Sequence, residues 1–140
     1  MNELQDQLIA RAKALLEEKR VDGILGFSRG TVPMARRPFW ARSHEEAEQL
    51  CWDEFCLANL ANFVPLNGEK NIAVIAKGCD WRSLVVHHQE GRLDLSSQVY
   101  VLGIDCDGML DPEKIRRAAG GPERVLEVSC AGEQIQITTP

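Results

Sequence analysis

Five cysteines are the residues of this chain best suited to chemistry: Cys51, Cys56, Cys79, Cys106 and Cys130. Cysteine thiolates bind zinc ions and iron–sulfur clusters. The number is odd and no two of them form a C-x-x-C pair, so the spacing indicates neither a disulfide framework nor a familiar metal motif. Free cysteines are also commonly buried in protein cores. Metal or redox chemistry and plain packing therefore both stay open for each thiol.

Two of the cysteines each follow a predicted strand. The segments "NIAVIA" (71–76) and "QVYVLGI" (98–104) are apolar and β-branched, which predicts two buried strands. A helix predicted between them makes the strands parallel, so their carboxyl ends share one edge of the sheet. Ligands of open α/β sheets bind beyond that edge. We therefore predict that Cys79, in "AKGCD", and Cys106, in "GIDCDG", are metal ligands in one crevice.

Residues around these two thiols suit a bound cofactor. Gly78 and Gly108 leave the backbone uncovered, and Lys77 and Arg82 flank the crevice with positive charge that suits an anionic cofactor or an acidic partner. We predict that these four residues bind a cofactor. The neighbouring carboxylates disfavour a thiolate unless a cation is present, which favours a metal. The pair His87 and His88 is interpreted as structural, because the helix stripe formed by Trp81, Leu84, Val85 and His88 is predicted to be buried.

The remaining elements predict one small α/β domain over residues 1–140, with a mostly parallel sheet, helices on both faces and a C-terminal β-hairpin. Leu4, Leu8, Ala12, Leu15 and Leu16 mark the buried face of a first helix. "VDGILGFS" (21–28) predicts a strand. "TVPMARRPFW" (31–40) is expected to be extended, and its prolines predict either a sheet edge or an irregular run. "SHEE" (43–46) has the form of a capping box, so we expect a helix to start there. It continues or breaks near Asp53, and "FCLANLANFVP" is expected to be helical again until Pro65 and the loop "LNGEK". "DPEKIRRAA" predicts a further helix, and "RVLEVSC" with "IQITT" predicts the hairpin, in which Cys130 is expected to be a core residue.

The composition and sequence patterns argue against several classes of protein. The hydrophobic fraction is 44% and the charged fraction 26%, as in ordinary globular proteins. A net charge of -5 gives no electrostatic footprint for nucleic acid. The chain has no apolar run long enough for a membrane span and no signal-peptide pattern, so we expect a cytoplasmic protein. It also has no G-x-G-x-x-G after a strand, so a Rossmann dinucleotide site is not indicated.

Three segments carry a resemblance to a known family. "FCLANL", "AKGCDWRSL" and "GIDCDGM" resemble the cysteine-bearing segments of coenzyme F-420 hydrogenase or dehydrogenase beta subunits, some of which carry ferredoxin-like 4Fe-4S domains. The resemblance implies that Cys56 joins Cys79 and Cys106 as a ligand. It also implies an iron–sulfur or flavin-dependent electron-transfer component beside a hydrogenase- or heterodisulfide-reductase-type partner. Longer relatives continue with cysteine-rich sequence, so we expect the 140 residues to be an N-terminal domain or a shortened member.

The leading hypothesis is therefore an electron-transfer module of an oxidoreductase, in which Cys56, Cys79 and Cys106 bind an iron–sulfur cluster. Zinc is an alternative metal, and FAD is implied by the resemblance alone. The fourth ligand is left open among Cys51, Asp107, Cys130, solvent and downstream residues. One rival is a structural or interaction domain with packed free thiols. The other is a zinc- or thiol-dependent enzyme, and the sequence leaves open whether the isolated chain has any activity.

Overall fold

Helices and strands alternate along a chain for which the computed structural model describes residues 3–65, 71–131 and 134–140. In chain order they are α1 (Glu3–Glu17), β1 (Gly23–Arg29), β2 (Arg36–Ala41), α2 (His44–Ala47), β3 (Leu50–Cys51), β4 (Ile72–Ala76), α3 (Gly78–Gln89), β5 (Val99–Gly103), α4 (Pro112–Ala119), β6 (Glu127–Ala131) and β7 (Gln134–Thr138). Short 3₁₀ turns lie at Leu60–Phe63 and Pro122–Arg124. The predicted loop at 66–70 and the centre of the hairpin turn at 132–133 lie outside the described residues. None of the helices in the described residues is long and apolar enough to cross a membrane.

The main sheet has the order β2-β1-β4-β5, with β3 also paired to β1. The central strands β1, β4 and β5 run parallel, whereas β2 and β3 are antiparallel to β1. Because β2 pairs along one edge of β1, β3 and β4 share its other edge, β4 at Gly23–Leu25 and β3 at Phe27–Ser28. The predicted small α/β domain, its parallel strands and its C-terminal hairpin β6–β7 are confirmed.

Helices cover both faces of this sheet. Ile24, Ala73 and Tyr100 lie side by side across β1, β4 and β5, and Arg11 of α1 donates a 2.8 Å hydrogen bond to the Tyr100 hydroxyl. Side chains alternate along a strand, so Phe27 lies on the opposite face from Ile24. That face is covered by the Leu60–Phe63 turn and α3, and Lys77 at the start of α3 approaches the Phe27 ring. The core accordingly has two layers, one under α1 and one under α3.

The C-terminal part packs on a small apolar cluster of its own. This second cluster contains Met34, Phe55, Ile115 and Val125, with Val128 and Ile137 of the hairpin against it. Asp111 caps α4 by accepting from the Glu113 amide, Pro112 occupies the first turn, and Gly120 ends the helix with φ of 91°. The sequence predicted these helix limits because cap residues act locally.

The segment 43–64 differs from the helical expectation. Ser43 does cap α2 by accepting from the Glu46 amide, but Glu46 accepts from the Arg42 amide and the helix ends at Ala47. The chain then pairs with β1 as β3 and turns at Asp53, whose carboxylate accepts from the Phe55 amide. Pairing with β1 and this local side-chain bond both compete with a helix. Only the Leu60–Phe63 turn remains of the second predicted helix.

Two burial predictions in the second half were wrong. β4 is fully buried as expected, but every residue of β5 is at least partly exposed, because β5 is the edge strand of the sheet. In α3 the buried residues are Asp80 and Leu84, while Trp81 is 45% exposed and His88 is also exposed. The buried face of α3 differs from the predicted one because the carboxylate of Asp80 turns inward to bind backbone amides. The spacing of apolar residues along the helix cannot reveal a buried carboxylate.

Candidate functional site

Cys79 and Cys106 occupy corresponding positions at the carboxyl edge of the sheet. Ala76, the last residue of β4, pairs with Gly103, the last residue of β5. Each cysteine stands three residues beyond its member of that pair, Cys79 in the first turn of α3 and Cys106 in the loop after β5. Both are free and exposed. The two thiols are therefore delivered to one edge and are accessible to a ligand or a partner.

An open cleft lies between the ends of these two strands. Its volume is about 620 Å³. It is lined by Ala76, Lys77, Gly78, Trp81, Val101, Gly103, Ile104 and Asp105. A Cβ built on Gly78 or Gly103 meets nothing within 4 Å, so neither glycine is needed to avoid a clash in the described chain. We call this the strand-end cleft; its floor is apolar, and Trp81 lies exposed at its side.

A smaller cavity of about 200 Å³ adjoins the strand-end cleft at Asp105. It is lined by Leu4, Trp52, Asp53, Glu54, Asp105, Cys106, Asp107, Gly108 and Met109. Gly108 has φ of 131°, a backbone conformation that other residues adopt only with strain. Carboxylates therefore surround Cys106, whereas Cys79 lies beyond the cleft on α3.

The four residues predicted to bind a cofactor have separate positions. Gly78 and Lys77 border the strand-end cleft, Gly108 borders the smaller cavity, and Arg82 lies exposed on α3. Lys77 is only 3% exposed, and its ammonium lies 3.2 Å from the Asp80 carboxylate and donates to the Ala58 carbonyl. It also lies 5.0 Å from the centre of the Phe27 ring and 5.6 Å from that of Trp52. The charge of Lys77 is thus engaged inside the fold.

Cys56 lies in a different environment, buried beside Cys51. The turn at Asp53 brings the end of β3 and Cys56 together, and the Cys56 sulfur is 3.9 Å from the Cys51 carbonyl oxygen and 3.8 Å from the Asp53 carboxylate. The Cys56 thiol also hydrogen-bonds the Cys51 sulfur, which lowers the pKa of Cys51. The same hydrogen bond, with burial, raises the pKa of Cys56. The sequence left a break near Asp53 open, but it did not reveal this contact, which forms because the chain reverses there.

An ion pair fixes the turn that joins these two cysteines. The Arg36 guanidinium lies 2.7 Å from the Asp53 carboxylate, and both side chains are mostly buried. The guanidinium also lies 5.8 Å from the centre of the Phe55 ring. Arg36 belongs to β2, so the edge strand holds the turn in place.

Cys130 was predicted to be a core residue, and this was wrong. It is exposed on β6, because the two-stranded hairpin is covered only by the small second cluster. Partial burial, together with the negative charge of Glu54, raises the pKa of the Cys130 thiol.

The histidines fit their structural interpretation in part: His88 Nδ1 lies 3.0 Å from the Leu93 carbonyl oxygen and 3.2 Å from the Leu95 amide nitrogen.

No group of three or more histidine, cysteine, aspartate or glutamate side chains is arranged to hold a metal ion within residues 3–65, 71–131 and 134–140. The set of Cys56, Cys79 and Cys106 therefore stays a prediction. In the described fold, Cys79 and Cys106 are both exposed, each three residues beyond a strand end at the same edge of the sheet, whereas Cys51 and Cys56 are buried near each other.

No family model matches the chain. Among solved structures, it is similar to a chain of the F420-reducing [NiFe] hydrogenase complex from Methanosarcina barkeri, in a structure of the xenon-derivatised complex, with a TM-score of 0.70. The chain shares its fold with part of a hydrogenase complex. The likeness covers 96% of this chain and 54% of the other at 13% sequence identity, so the chain spans about half the length of that neighbour. At this identity the likeness concerns the fold, and it agrees at that level with the resemblance noted in the sequence.

Proposed function

We propose that the chain is an electron-transfer module of an oxidoreductase, with an iron–sulfur cluster bound at the carboxyl edge of its parallel strands. The observation that carries the proposal is the matched placement of Cys79 and Cys106, each three residues beyond paired strand ends and each exposed. The hydrogenase-complex neighbour supports a redox setting for this fold. The working partner would be a redox protein of the hydrogenase or heterodisulfide-reductase type.

The described residues supply part of the set of thiolate ligands that an iron–sulfur cluster requires. Thiolates are the ligands that iron–sulfur clusters use, and a complete site takes about four of them. The described edge supplies two accessible thiols, so we propose that further ligands come from sequence beyond this chain or from the partner. Cys56 as a third ligand remains a prediction that requires its buried thiol to leave Cys51. Zinc would use the same thiols, and FAD rests on the resemblance alone.

Reconstitution under anaerobic conditions tests this proposal. The purified chain would be incubated with ferrous iron, sulfide and an excess of a small thiol, which can supply the missing ligands. We expect bound iron and sulfide with visible charge-transfer absorption in the wild type. Cys79→Ser with Cys106→Ser should lose most of that iron, whereas Cys130→Ser, which alters an exposed thiol that could be at most the fourth ligand, should retain more of it. Equal iron in the wild type and the double variant would rule out the cluster site.

A second candidate function is a structural domain that docks a redox partner without a cofactor of its own. It is favoured by the burial of the Cys51 and Cys56 thiols, which pack inside the fold. The reconstitution experiment separates the two functions, because a docking domain would take up no cluster in the wild type or in the double variant.

A further inference from the structure

Cys51 and Cys56 have the placement of a reactive dithiol. β3 ends at Cys51, the chain reverses at Asp53, and Cys56 returns with its sulfur 3.9 Å from the Cys51 carbonyl oxygen. A disulfide requires two cysteines whose side chains already meet, because poorly placed pairs need backbone movement. The remaining cysteines have no comparable contact in the part of the chain that the structure describes. The turn thus brings the Cys56 thiol close to Cys51.

Access to the pair is asymmetric. Cys51 borders a cavity of about 310 Å³ whose wall also includes Ser28, Arg29 and Arg37. Cys56 is fully buried and does not line that cavity. Glu48, the one carboxylate in the wall, lies 2.8 Å from the Lys13 ammonium, so its charge is partly offset. An oxidant arriving through the cavity meets Cys51 first and meets positive charge on the way.

We propose that Cys51 and Cys56 are a redox-active pair that reduces small acidic disulfides, with Cys51 as the attacking sulfur and Cys56 as the resolving one. The Cys51 sulfur attacks one sulfur of the incoming disulfide, forming a mixed disulfide and releasing the first thiol. The Cys56 sulfur then attacks Cys51, and the second thiol leaves. The two cysteine protons end on the two released thiols, and two electrons pass from the protein to the disulfide. The pair requires no metal, so it goes beyond the proposed cluster function.

The buried turn suits a reversible bond. Asp53, between the two cysteines, is held by Arg36 on one side and binds the Phe55 amide on the other. These contacts keep the two ends of the turn together in the reduced protein. Oxidation would therefore join two thiols that the turn already holds near each other.

Peptide mapping after oxidation tests the proposal directly. The native chain, free of iron and under anaerobic conditions, would be exposed to oxidised glutathione, then alkylated and digested with trypsin. Cleavage after Arg42 and Lys70 yields one fragment, 43–70, that contains Cys51 and Cys56 and no other cysteine. We expect this fragment to lose two hydrogens and to accept alkyl groups only after reduction. A fragment that carries two alkyl groups, or that remains a glutathione adduct, would overturn the proposal.

A variant separates the attacking role of Cys51 from the resolving role of Cys56. Cys56→Ala should stop the reaction at a glutathione adduct on Cys51, whereas the matched control Cys130→Ala should oxidise as the wild type does. Circular dichroism checks that each variant is folded, and the wild-type mapping is decisive without either variant. Because the assay contains no iron, its failure leaves the cluster proposal standing, and a failed reconstitution leaves this one standing.

Discussion

Asp80 joins two parts of the chain through one carboxylate. It is fully buried, and its oxygens accept from the Lys77 amide at 2.7 Å and the Leu60 amide at 2.9 Å. The Lys77 ammonium lies 3.2 Å away. The residue therefore ties the start of α3 to the 3₁₀ turn at Leu60–Phe63 and neutralises a buried cation.

Asp80→Ala is expected to destabilise the protein strongly. The change leaves the Lys77 ammonium buried without its carboxylate, and removing one partner of a buried ion pair costs about 3–5 kcal/mol. Urea denaturation measures the free energy of unfolding. The control Glu90→Ala removes an exposed partner of Arg92 and should cost about 0–1 kcal/mol. Equal losses in the two variants would contradict a central role for Asp80.

Asp94 gives a prediction about pH. Hydrogen bonds from Ser96 and Ser97 lower the pKa of its carboxyl from 3.8 to about 2. A lowered pKa in the folded state stabilises the protein above the ordinary pKa and does so less as pH falls toward the lowered one. Asp94→Ala should therefore lower the melting temperature at neutral pH, and its difference from the wild type should shrink between pH 3.8 and pH 2. Asp22→Ala, at an exposed carboxylate, serves as the control; a difference for Asp94→Ala that does not change with pH would contradict the assignment.

At the scale of elements, β1 is the strand that organises the sheet. It pairs with β2, β3 and β4, and Gly26 at its centre allows these neighbours to close over it. A Cβ at Gly26 would lie 2.6 Å from the Ile75 Cδ1 atom and 2.8 Å from the Leu50 Cδ2 atom, and both side chains are buried. The close packing of β3 against β1 therefore requires a residue without a side chain.

Gly26→Ala is expected to lower the free energy of unfolding, because overpacking of a filled core typically costs about 1–3 kcal/mol. Gly103→Ala is the matched control in a strand, since its added Cβ meets nothing within 4 Å. Chemical denaturation compares the two. If both variants are as stable as the wild type, the interior around Gly26 is looser than its contacts indicate.

At the scale of the whole molecule, two apolar clusters of unequal size hold the described residues together. The larger lies around β1 and β4, and β4 is buried along its whole length. The smaller second cluster has four buried residues and joins α4 and the hairpin to Met34 and Phe55. Local stability follows the density of buried contacts, so the two regions should open with different free energies.

Native-state hydrogen exchange should show this difference. We expect amides of β4 to exchange at the rate of global unfolding and amides of β6 and β7 to exchange faster, through opening of the second cluster alone. Ile115→Ala should speed exchange in the hairpin further and leave β4 almost unchanged. Uniform protection across both regions would mean that they unfold as one unit.

Local signals in the sequence were sufficient for much of the fold. The apolar run 71–76 became β4, the Asp111-Pro112 pair began α4, and the prolines around β2 placed it at an edge. Segment 43–64 was mispredicted because its structure depends on pairing with β1, a partner distant in sequence. For the candidate site, the rule that parallel strands end at the same edge of the sheet predicted equivalent positions for Cys79 and Cys106. The proximity of Cys51 and Cys56 was not predicted.

The sequence by itself determined which strands run parallel, and therefore which loops reach the carboxyl edge, because strand–helix–strand connections have a fixed hand. Only the tertiary structure decided which side chains face inward there. The inward turn of Asp80, the engagement of Lys77 and the contact between Cys51 and Cys56 each depend on atoms brought together from separate segments. Periodicity reports burial along one element, and such contacts form only when the elements pack against one another.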